Sequence, residues 1–261
     1  MKSPVLIRIA LLLAVLVSSI SVYAADSAAF TPDQQKQIQS IVHDYLIKNP
    51  QVIIDAVQAM QTQAHNEMMK HAQQTIDSQA SVLFNASGSP VVGNPKGNIT
   101  LVEFFDYQCP YCKRVSPAIN QLVVENSNLR VVYKELPIFG DSSVFAAQAA
   151  LAAQQQNKYL PLHNALMEAK PPFTTQQVLD LAKSAGIDIN KLQTDMKSKA
   201  VTEEIKSNIA LANQLQLVGT PAFIIANVKI NGSQVNKPVK SVFVPGAISP
   251  SSLEQVIQQV Q

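Results

Sequence analysis

The chain has 261 residues, 47% of them apolar, with 20 basic against 18 acidic side chains and only two cysteines. Its first 24 residues hold Lys2 and Arg8 and no acid, so the rest carries 18 charges of each sign and a formal net charge of zero. That balance excludes the basic footprint of a nucleic-acid binder and a polybasic membrane-surface patch, and the length suits one large domain or two small ones.

The N-terminus reads as a cleaved secretory signal peptide. Met1-Lys2 and Arg8 precede an apolar core from Ile9 to Val17, and Val22-Tyr23-Ala24 supplies a small-residue site for cleavage after Ala24. An uncleaved anchor is the alternative, but the apolar core falls short of the ~20 residues of a membrane span.

From Thr31 to about Leu83 the pattern is helical. Thr31 is placed as N-cap with Pro32 at the first helical position. Ile38, Ile41, Val42, Tyr45 and Leu46 then recur at three- and four-residue spacing. Asn49-Pro50 breaks this helix, and a second runs on with Ile53, Val57, Met60, Ala64, Met68, Ala72 and Ile76 along one side. An amphipathic helix must bury its apolar stripe. Two solutions are open, packing on its own domain or pairing with a second copy of the chain, and the pattern favours a homodimer through residues 30–83. The four histidines (His43, His65, His71, His163) are scattered and read as surface polar residues rather than a metal set.

Residues 85–98 hold Gly88, Pro90, Gly93, Pro95 and Gly97 and read as a linker with a short strand at Pro90-Val91-Val92. Ile99 to Phe105 is a near-continuous apolar run, the mark of a strand buried on both faces. A helix to about Glu125 and a strand from Leu129 to Leu136 complete a parallel βαβ unit. Helical segments follow near 142–157, 159–169, 174–185, 188–198 and 199–216, a block too large for a simple crossover. Ala222–Ile230 and Val239–Val244 read as strands around a turn at Asn231-Gly232. Ser249-Pro250 starts a closing helix.

The two cysteines form Cys109-Pro-Tyr-Cys112, directly after the apolar run. With Cys109 at the N-cap and Pro110 at the first helical position, the Cys109 sulfur faces the free N–H groups and the positive end of the helix. Both lower its pKa below the free value of about 8.5. Cys112, inside the helix, is expected to be shielded, which makes Cys109 the attacking sulfur and Cys112 the resolving one. A structural disulfide would constrain little of the chain over so short a loop. Zinc wants four ligands and a second pair is missing; a copper-binding pair remains open. Redox chemistry by sulfur alone calls for no cofactor and no metal. Glu103, six residues before Cys109 and flanked by apolar residues, is expected as a buried carboxyl with a raised pKa, exchanging a proton with Cys112, with Lys134 on the next strand as its partner. Pro117 is expected to kink the helix.

Glu103-Phe-Phe before Cys109-Pro-Tyr-Cys112, with Pro117, the helical block 141–217, Val218-Gly-Thr-Pro-Ala-Phe223 and Phe243-Val-Pro-Gly-Ala247, resembles the thioredoxin superfamily, and more closely the DsbA-like periplasmic thiol:disulfide oxidoreductases, over about residues 89–261. The resemblance implies an α/β thioredoxin fold with a large helical insertion, preceded by an N-terminal helical region. The corresponding division is a signal peptide at 1–24, a dimerisation region at 25–84 and the oxidoreductase domain at 85–261. It implies a cis-proline at Pro221 with Thr220 before it, and a substrate-binding surface of Thr220, Pro221, Pro110 and Tyr111. It also implies cysteine-containing secreted or periplasmic proteins as substrates, and a DsbB-like membrane oxidase, a DsbD-like membrane reductase or both as redox partners. Two departures bear on the activity. Strongly oxidising DsbA proteins commonly have histidine where this chain has Tyr111, so a less acidic Cys109 and a less oxidising pair are expected. Thr220 before the cis-proline resembles the dimeric DsbC-like isomerases, and the chain is similar to the dimeric DsbA-like branch known as outer-membrane-associated antigens. An oxidase with isomerase character, in the periplasm, is the expectation. The alternatives are a glutaredoxin-like reductase, a non-enzymatic chaperone or surface protein, and a Cu(I)-binding protein.

Overall fold

The computed structural model describes residues 30–85, 88–231, 234–235 and 237–261. The signal peptide and the turn at Gly232 fall outside them. By compactness the chain divides into two units, one ending at Thr62 and one from Gln63 to Gln261.

In the first unit, helix α1 (Pro32–Lys48) opens with a capping box. The Thr31 hydroxyl accepts from the Gln34 N–H, and the Gln34 side chain accepts from the Thr31 N–H at 2.9 Å. Asn49 ends it, and α2 (Gln51–Ser78) follows. No residue of α1 is buried, and Ile38, Ile41, Val42, Tyr45, Ile53, Val57 and Met60 are all exposed. The stripe expected from the sequence exists, and among the described residues nothing covers it.

The second unit is built on a five-stranded sheet of order β1-β3-β2-β4-β7, made of β1 (Val91–Gly93), β2 (Ile99–Phe105), β3 (Leu129–Glu135), β4 (Ala222–Asn227) and β7 (Lys240–Val244). Strands β2 and β3 are parallel; the other pairings are antiparallel. A small ribbon of β5 (Ile230–Asn231) and β6 (Gln234–Val235) lies between β4 and β7 in sequence. Every residue of β2 and β3 is buried, as the near-continuous apolar run predicts for β2; in β3 the burial includes Arg130, Lys134 and Glu135. At the edges, β1 is three residues long and ends in Gly93 at φ +79°, while β7 starts with the exposed Lys240.

The alternation of β2 sorts two cores. Ile99, Leu101 and Phe105 face α4 (Pro110–Glu125) and the helical insertion. Val102 and Phe104 face the other side, with Ala72 and Ile76 from the end of α2 and with Ala80, Leu83 and Phe84 from a short helix α3 (Ala80–Phe84). The sequence suggests one helix to about Leu83. Instead α2 stops at Ser78, and Gln79 starts α3, which seats Leu83 and Phe84 fully buried under the sheet. The compact unit therefore reaches back to Gln63, ahead of residue 85.

The insertion comprises α5 (Asp141–Ala153), a turn of 3-10 helix at Gln154–Gln156, α6 (Tyr159–Glu168), α7 (Thr175–Ser184), α8 (Ile189–Asp195) and α9 (Lys199–Gln214). Thr174, Asp188 and Ser198 cap the starts of α7, α8 and α9 through their side chains. Alanine-rich α5 is buried almost all round and packs against α6, α7, α8 and α9, so it is the insertion's hub. Helix α10 (Pro250–Val260), capped by Ser249, closes the chain against α4, β4 and β7.

Candidate active site

Cys109 is the N-cap of α4, with extended backbone (φ −72°, ψ 118°), and Pro110 is the first helical residue. The chain enters from β2 through Asp106-Tyr107-Gln108. Both cysteines are free thiols and both are buried, while Pro110 and Tyr111 between them are exposed, Tyr111 by 50%. As a thiol, Cys109 donates to the Thr220 carbonyl at 3.2 Å. As a thiolate it accepts from the Cys112 thiol first, then from Thr220 and from the N–H groups of Cys112 and Tyr111, and its pKa falls from 9.0 to about 5. Burial opposes this shift and is outweighed. Cys112 moves the opposite way: burial pushes its thiol well up, and the hydrogen bond it gives to Cys109 holds its proton. The pair therefore contains one sulfur ready to be a thiolate and one that keeps its hydrogen. Tyr111 supplies its N–H to this arrangement, and its ring is stacked by the Arg114 guanidinium at 5.3 Å.

The Thr220-Pro221 peptide is cis. Pro221 is buried, and the Thr220 hydroxyl is buried with no other hydrogen-bond partner among the described residues. Tyr111, Val218 two residues before Thr220, and Ile138 and Phe139 on the loop after β3 whose N–H groups bond Asp106 are exposed apolar side chains. Thr220→Val, which keeps shape and removes the hydroxyl, should raise the Cys109 pKa by about one unit or less, read from thiolate absorbance against pH.

Glu103 lies fully buried on β2 with neither carboxylate oxygen hydrogen-bonded among the described residues. Burial, and then the Cys109 charge, raise its pKa from 4.5 to about 8. Lys134 is not its partner. In the parallel register Lys134 stands opposite Phe104, one residue out of phase, and so leaves the other face of the sheet. There its ammonium donates to Ser89 Oγ at 2.6 Å and to the Val82 carbonyl at 3.1 Å, beside Glu204 at 3.6 Å. Register partner of Glu103 is instead Tyr133. Pro117 lies inside α4, which runs to Glu125 as the sequence suggests.

Three features escape the sequence reading. Asp106 clamps the loop before Cys109: its carboxylate accepts from Gln108 N–H at 2.7 Å, Ile138 N–H at 2.7 Å, Phe139 N–H at 3.2 Å and the Ser143 hydroxyl at 2.7 Å. Gln108 adds bonds to the Phe139 carbonyl and to the Ser142 and Ser143 hydroxyls. Asp106→Ala strands buried donors and should cost about 2–4 kcal/mol of stability, measured by urea denaturation. Lys113 lies next to Cys112 and donates to the carbonyls of Leu166, Met167 and Ala169 at the end of α6, with its ammonium 5.0 Å from the Phe173 ring centroid. It thereby ties the active-site helix to the insertion.

The third feature is a buried polar cluster behind the cysteines. His163, expected on the surface, is fully buried among Phe105, Tyr107, Tyr133 and Tyr159, with ring centroids at 4.4–5.5 Å. Burial lowers its pKa to about 3, so it is neutral. Its place was legible: Tyr159, Leu162, His163, Leu166 and Met167 follow the helical period and form the buried face of α6. Among the described residues no three His, Cys, Asp or Glu side chains are grouped to hold a metal.

Comparison with known proteins agrees with this geometry. The profile of the DSBA-like thioredoxin domain matches residues 100–258, and that of the copper resistance protein ScsC N-terminal domain matches residues 34–67. A thioredoxin-like oxidoreductase from Silicibacter pomeroyi DSS-3 is 41% identical, covers 68% of this chain and 94% of its own, and superposes with a TM-score of 0.61. A periplasmic thioredoxin-like protein from Salmonella enterica serovar Typhimurium is 30% identical, covering 69% of this chain and 94% of its own with a TM-score of 0.56. The thiol:disulfide interchange protein DsbA of Burkholderia cepacia is 27% identical over 178 residues, 65% of this chain and 79% of that protein. The chain also matches Na(+)/H(+) antiporters from two Salinispora species and Herminiimonas arsenicoxydans, spanning only 26%, 22% and 24% of their lengths.

Proposed function

The chain belongs to the family of DSBA-like thioredoxin domains, thiol:disulfide oxidoreductases of thioredoxin fold, and from that premise we propose that it introduces and isomerises disulfide bonds in secreted proteins through Cys109 and Cys112. The observation that carries this reading is the asymmetric pair: a Cys109 thiolate at a helix start against Thr220, and a protonated Cys112 buried beneath it. A low-pKa sulfur at Cys109 is both a good leaving group in its disulfide form and a stable thiolate once reduced, which favours oxidation of substrate dithiols. In this reading Cys109 forms the mixed disulfide and Cys112 resolves it. Thr220 and Pro221, with the exposed Pro110 and Tyr111, take the extended substrate segment, and Glu103 carries the proton to and from Cys112.

The signal-peptide pattern and the periplasmic Salmonella relative support a periplasmic site of action, and no helix among the described residues is long and apolar enough to cross a membrane. A membrane oxidase of DsbB type, a reductase of DsbD type, or both would recycle the pair. The uncovered stripe of residues 30–62 and the match to the ScsC N-terminal domain support pairing of chains through the N-terminal helices, which would set two cysteine pairs in one particle and favour isomerisation.

The test is reactivation of scrambled ribonuclease and oxidative refolding of the reduced enzyme, each with full-length protein. Catalysis of both is expected; catalysis of neither would overturn the proposal. A chain lacking residues 25–62 should run as a monomer in multi-angle light scattering and keep oxidase but lose isomerase activity. A full-length monomer would sink the paired form. The likeness of residues 34–67 to the copper resistance protein ScsC N-terminal domain favours a second reading, Cu(I) held by the two thiols; it predicts a stoichiometric complex that Cys109→Ala abolishes.

A further inference from the structure

Thiol exchange as proposed accounts for the sulfurs and the backbone that faces them, but leaves one charge beside them unused. From Glu103 to Arg114, the stretch that carries both cysteines, the charged side chains are Glu103, Asp106, Lys113 and Arg114. Three of them are turned inward. Glu103 is fully buried on β2. Asp106 is buried as well, and its carboxylate accepts from the N–H groups of Gln108, Ile138 and Phe139 and from the Ser143 hydroxyl. Lys113 spends its ammonium hydrogens on the carbonyls of Leu166, Met167 and Ala169. Arg114 alone is exposed. Among the described residues its guanidinium makes no ion pair and no hydrogen bond, so its whole fork of donors is open to an outside partner.

That free guanidinium is nonetheless held in place. It lies 5.3 Å from the centroid of the Tyr111 ring, three residues earlier on α4 and therefore on the same face of the helix. Tyr111 stands between the two cysteines and is half exposed, so the cation is kept over a residue next to the sulfur. From the N-cap Cys109 to Arg114 the helix rises by about 7.5 Å. An extended peptide covers that distance in about two or three residues. Little other charge surrounds the cysteine turn. Residues 216–222, with the cis-proline, contain no ionisable side chain. Residues 136–143, which the Gln108 side chain joins to the cysteine turn, contain one, the exposed acid Asp141.

We propose that Arg114 is a specificity-determining residue for thiol exchange: through it the site prefers client segments that carry a carboxylate about two or three residues from the reacting cysteine, on one side only. The inference rests on the oxidoreductase reading and names a substrate class for that same site. A client extended past Cys109 over Tyr111 brings such a carboxylate to the guanidinium, whose planar fork can pair with both of its oxygens. On the Gln108 side the exposed charge is Asp141, which disfavours an acid there. The pairing selects among clients and leaves the chemistry as described. A client thiolate attacks Cys109 of the disulfide, the Cys109–client bond forms as the Cys109–Cys112 bond breaks, and Cys112 takes the electron pair and the Glu103 proton. An ion pair at an exposed position is weak and screened by salt, so the preference is graded rather than absolute.

The experiment gives oxidised full-length protein a set of otherwise uncharged dithiol peptides with blocked ends. In each, Glu or Lys stands three residues before or three residues after both cysteines. Every rate of oxidation is divided by the same peptide's rate with the uncharged hydroxyethyl disulfide, which removes the effect of the added charge on thiol acidity. In one of the two placements the Glu peptide should react about three- to tenfold faster than the Lys peptide, and the ratio should shrink in high salt. Arg114→Gln should bring that ratio close to one, and Arg114→Glu should invert it. A merely structural role for Arg114 would slow all peptides in proportion and leave the ratio where it was. A ratio that is the same in both placements would overturn the proposal, as would one that persists in Arg114→Gln. Should that variant fail to fold, a wild-type ratio unmoved by salt overturns it equally. Oxidation of none of the peptides would strike the oxidoreductase reading itself, a result distinct from oxidation without preference.

Discussion

Cys109→Ser should lower the exchange rate on the order of a thousandfold or more, to the uncatalysed background, while Cys112→Ser should leave clients covalently attached. The first loss follows from the pKa of Cys109. With a value of about 5, this sulfur is a thiolate throughout neutral pH, and a serine hydroxyl in its place is neither nucleophile nor leaving group. The second outcome follows from burial: with Cys112 gone, no internal thiol can reach the mixed disulfide, because the chain has only these two cysteines. Non-reducing gels and intact mass of the Cys112→Ser protein after mixing with a reduced client would show the adduct; its absence would reverse the assigned order of the sulfurs. The same thiolate gives the reduced form a pH-dependent advantage. A thiol whose native pKa lies below 9.0 contributes its full stability above that pH, and the contribution is lost as pH falls through about 5. The disulfide form has no such group. The protein should therefore be a weaker oxidant in acid, which a glutathione titration at several pH values checks.

Glu103→Gln should change stability in the opposite sense. The native carboxyl keeps its proton up to about pH 8, whereas the unfolded chain releases it near 4.5. Between these values the native state binds more protons, so stability falls as pH rises, in total by about 5 kcal/mol. Below the window Glu103 contributes no pH dependence; above it the burial cost is complete. Glutamine has no charge to bury. The variant should match wild type in acid and exceed it by several kcal/mol in mild alkali, measured by urea denaturation of the reduced proteins. In the oxidised protein the gap narrows, because the Cys109 charge that helps to raise Glu103 is then absent. Parallel curves for the two proteins would show that Glu103 is not held as a buried acid. The gain in stability should accompany a loss in rate, since the amide has no acidic proton for Cys112.

What the sequence showed and what it hid follow from how local each cause is. The strand Ile99–Phe105 was legible as a near-continuous apolar run broken only by Thr100 and Glu103, and Leu129–Glu135 by its β-branched and aromatic centre Val131-Val132-Tyr133. Thr31, Cys109 and Ser249 were legible as helix starts because a cap is decided by its own first turn. The thiol chemistry was legible for the same reason, with donors to Cys109 coming from within its own turn, apart from Thr220. The partner of Glu103 was misassigned because strand register is a nonlocal quantity: a shift of one residue sends Lys134 to the opposite face, among Val82, Ser89 and Glu204. Asp106 gave no signal, since its partners Ile138 and Phe139 on the loop after β3 and Ser143 in the first turn of α5 lie more than thirty residues away. The burial of His163 was legible from the helical period of α6, but its meeting with Tyr133 and with the tyrosines on Glu135 was not, since α6 and β3 come together only in the fold.

The ends of the sheet bear on a hazard peculiar to this trade. In the proposed function the protein would meet the exposed backbone of unfinished chains, and an open sheet edge invites such chains to add themselves as further strands. Here one edge is a strand of three residues that ends in a left-handed glycine, and the other starts with an exposed lysine and is partly buried along its length. Neither offers a long, flat template. Under the proposed function clients would engage at the sulfur and its flanking residues, where attachment is reversible by chemistry, and not at borders where it would grow into aggregate.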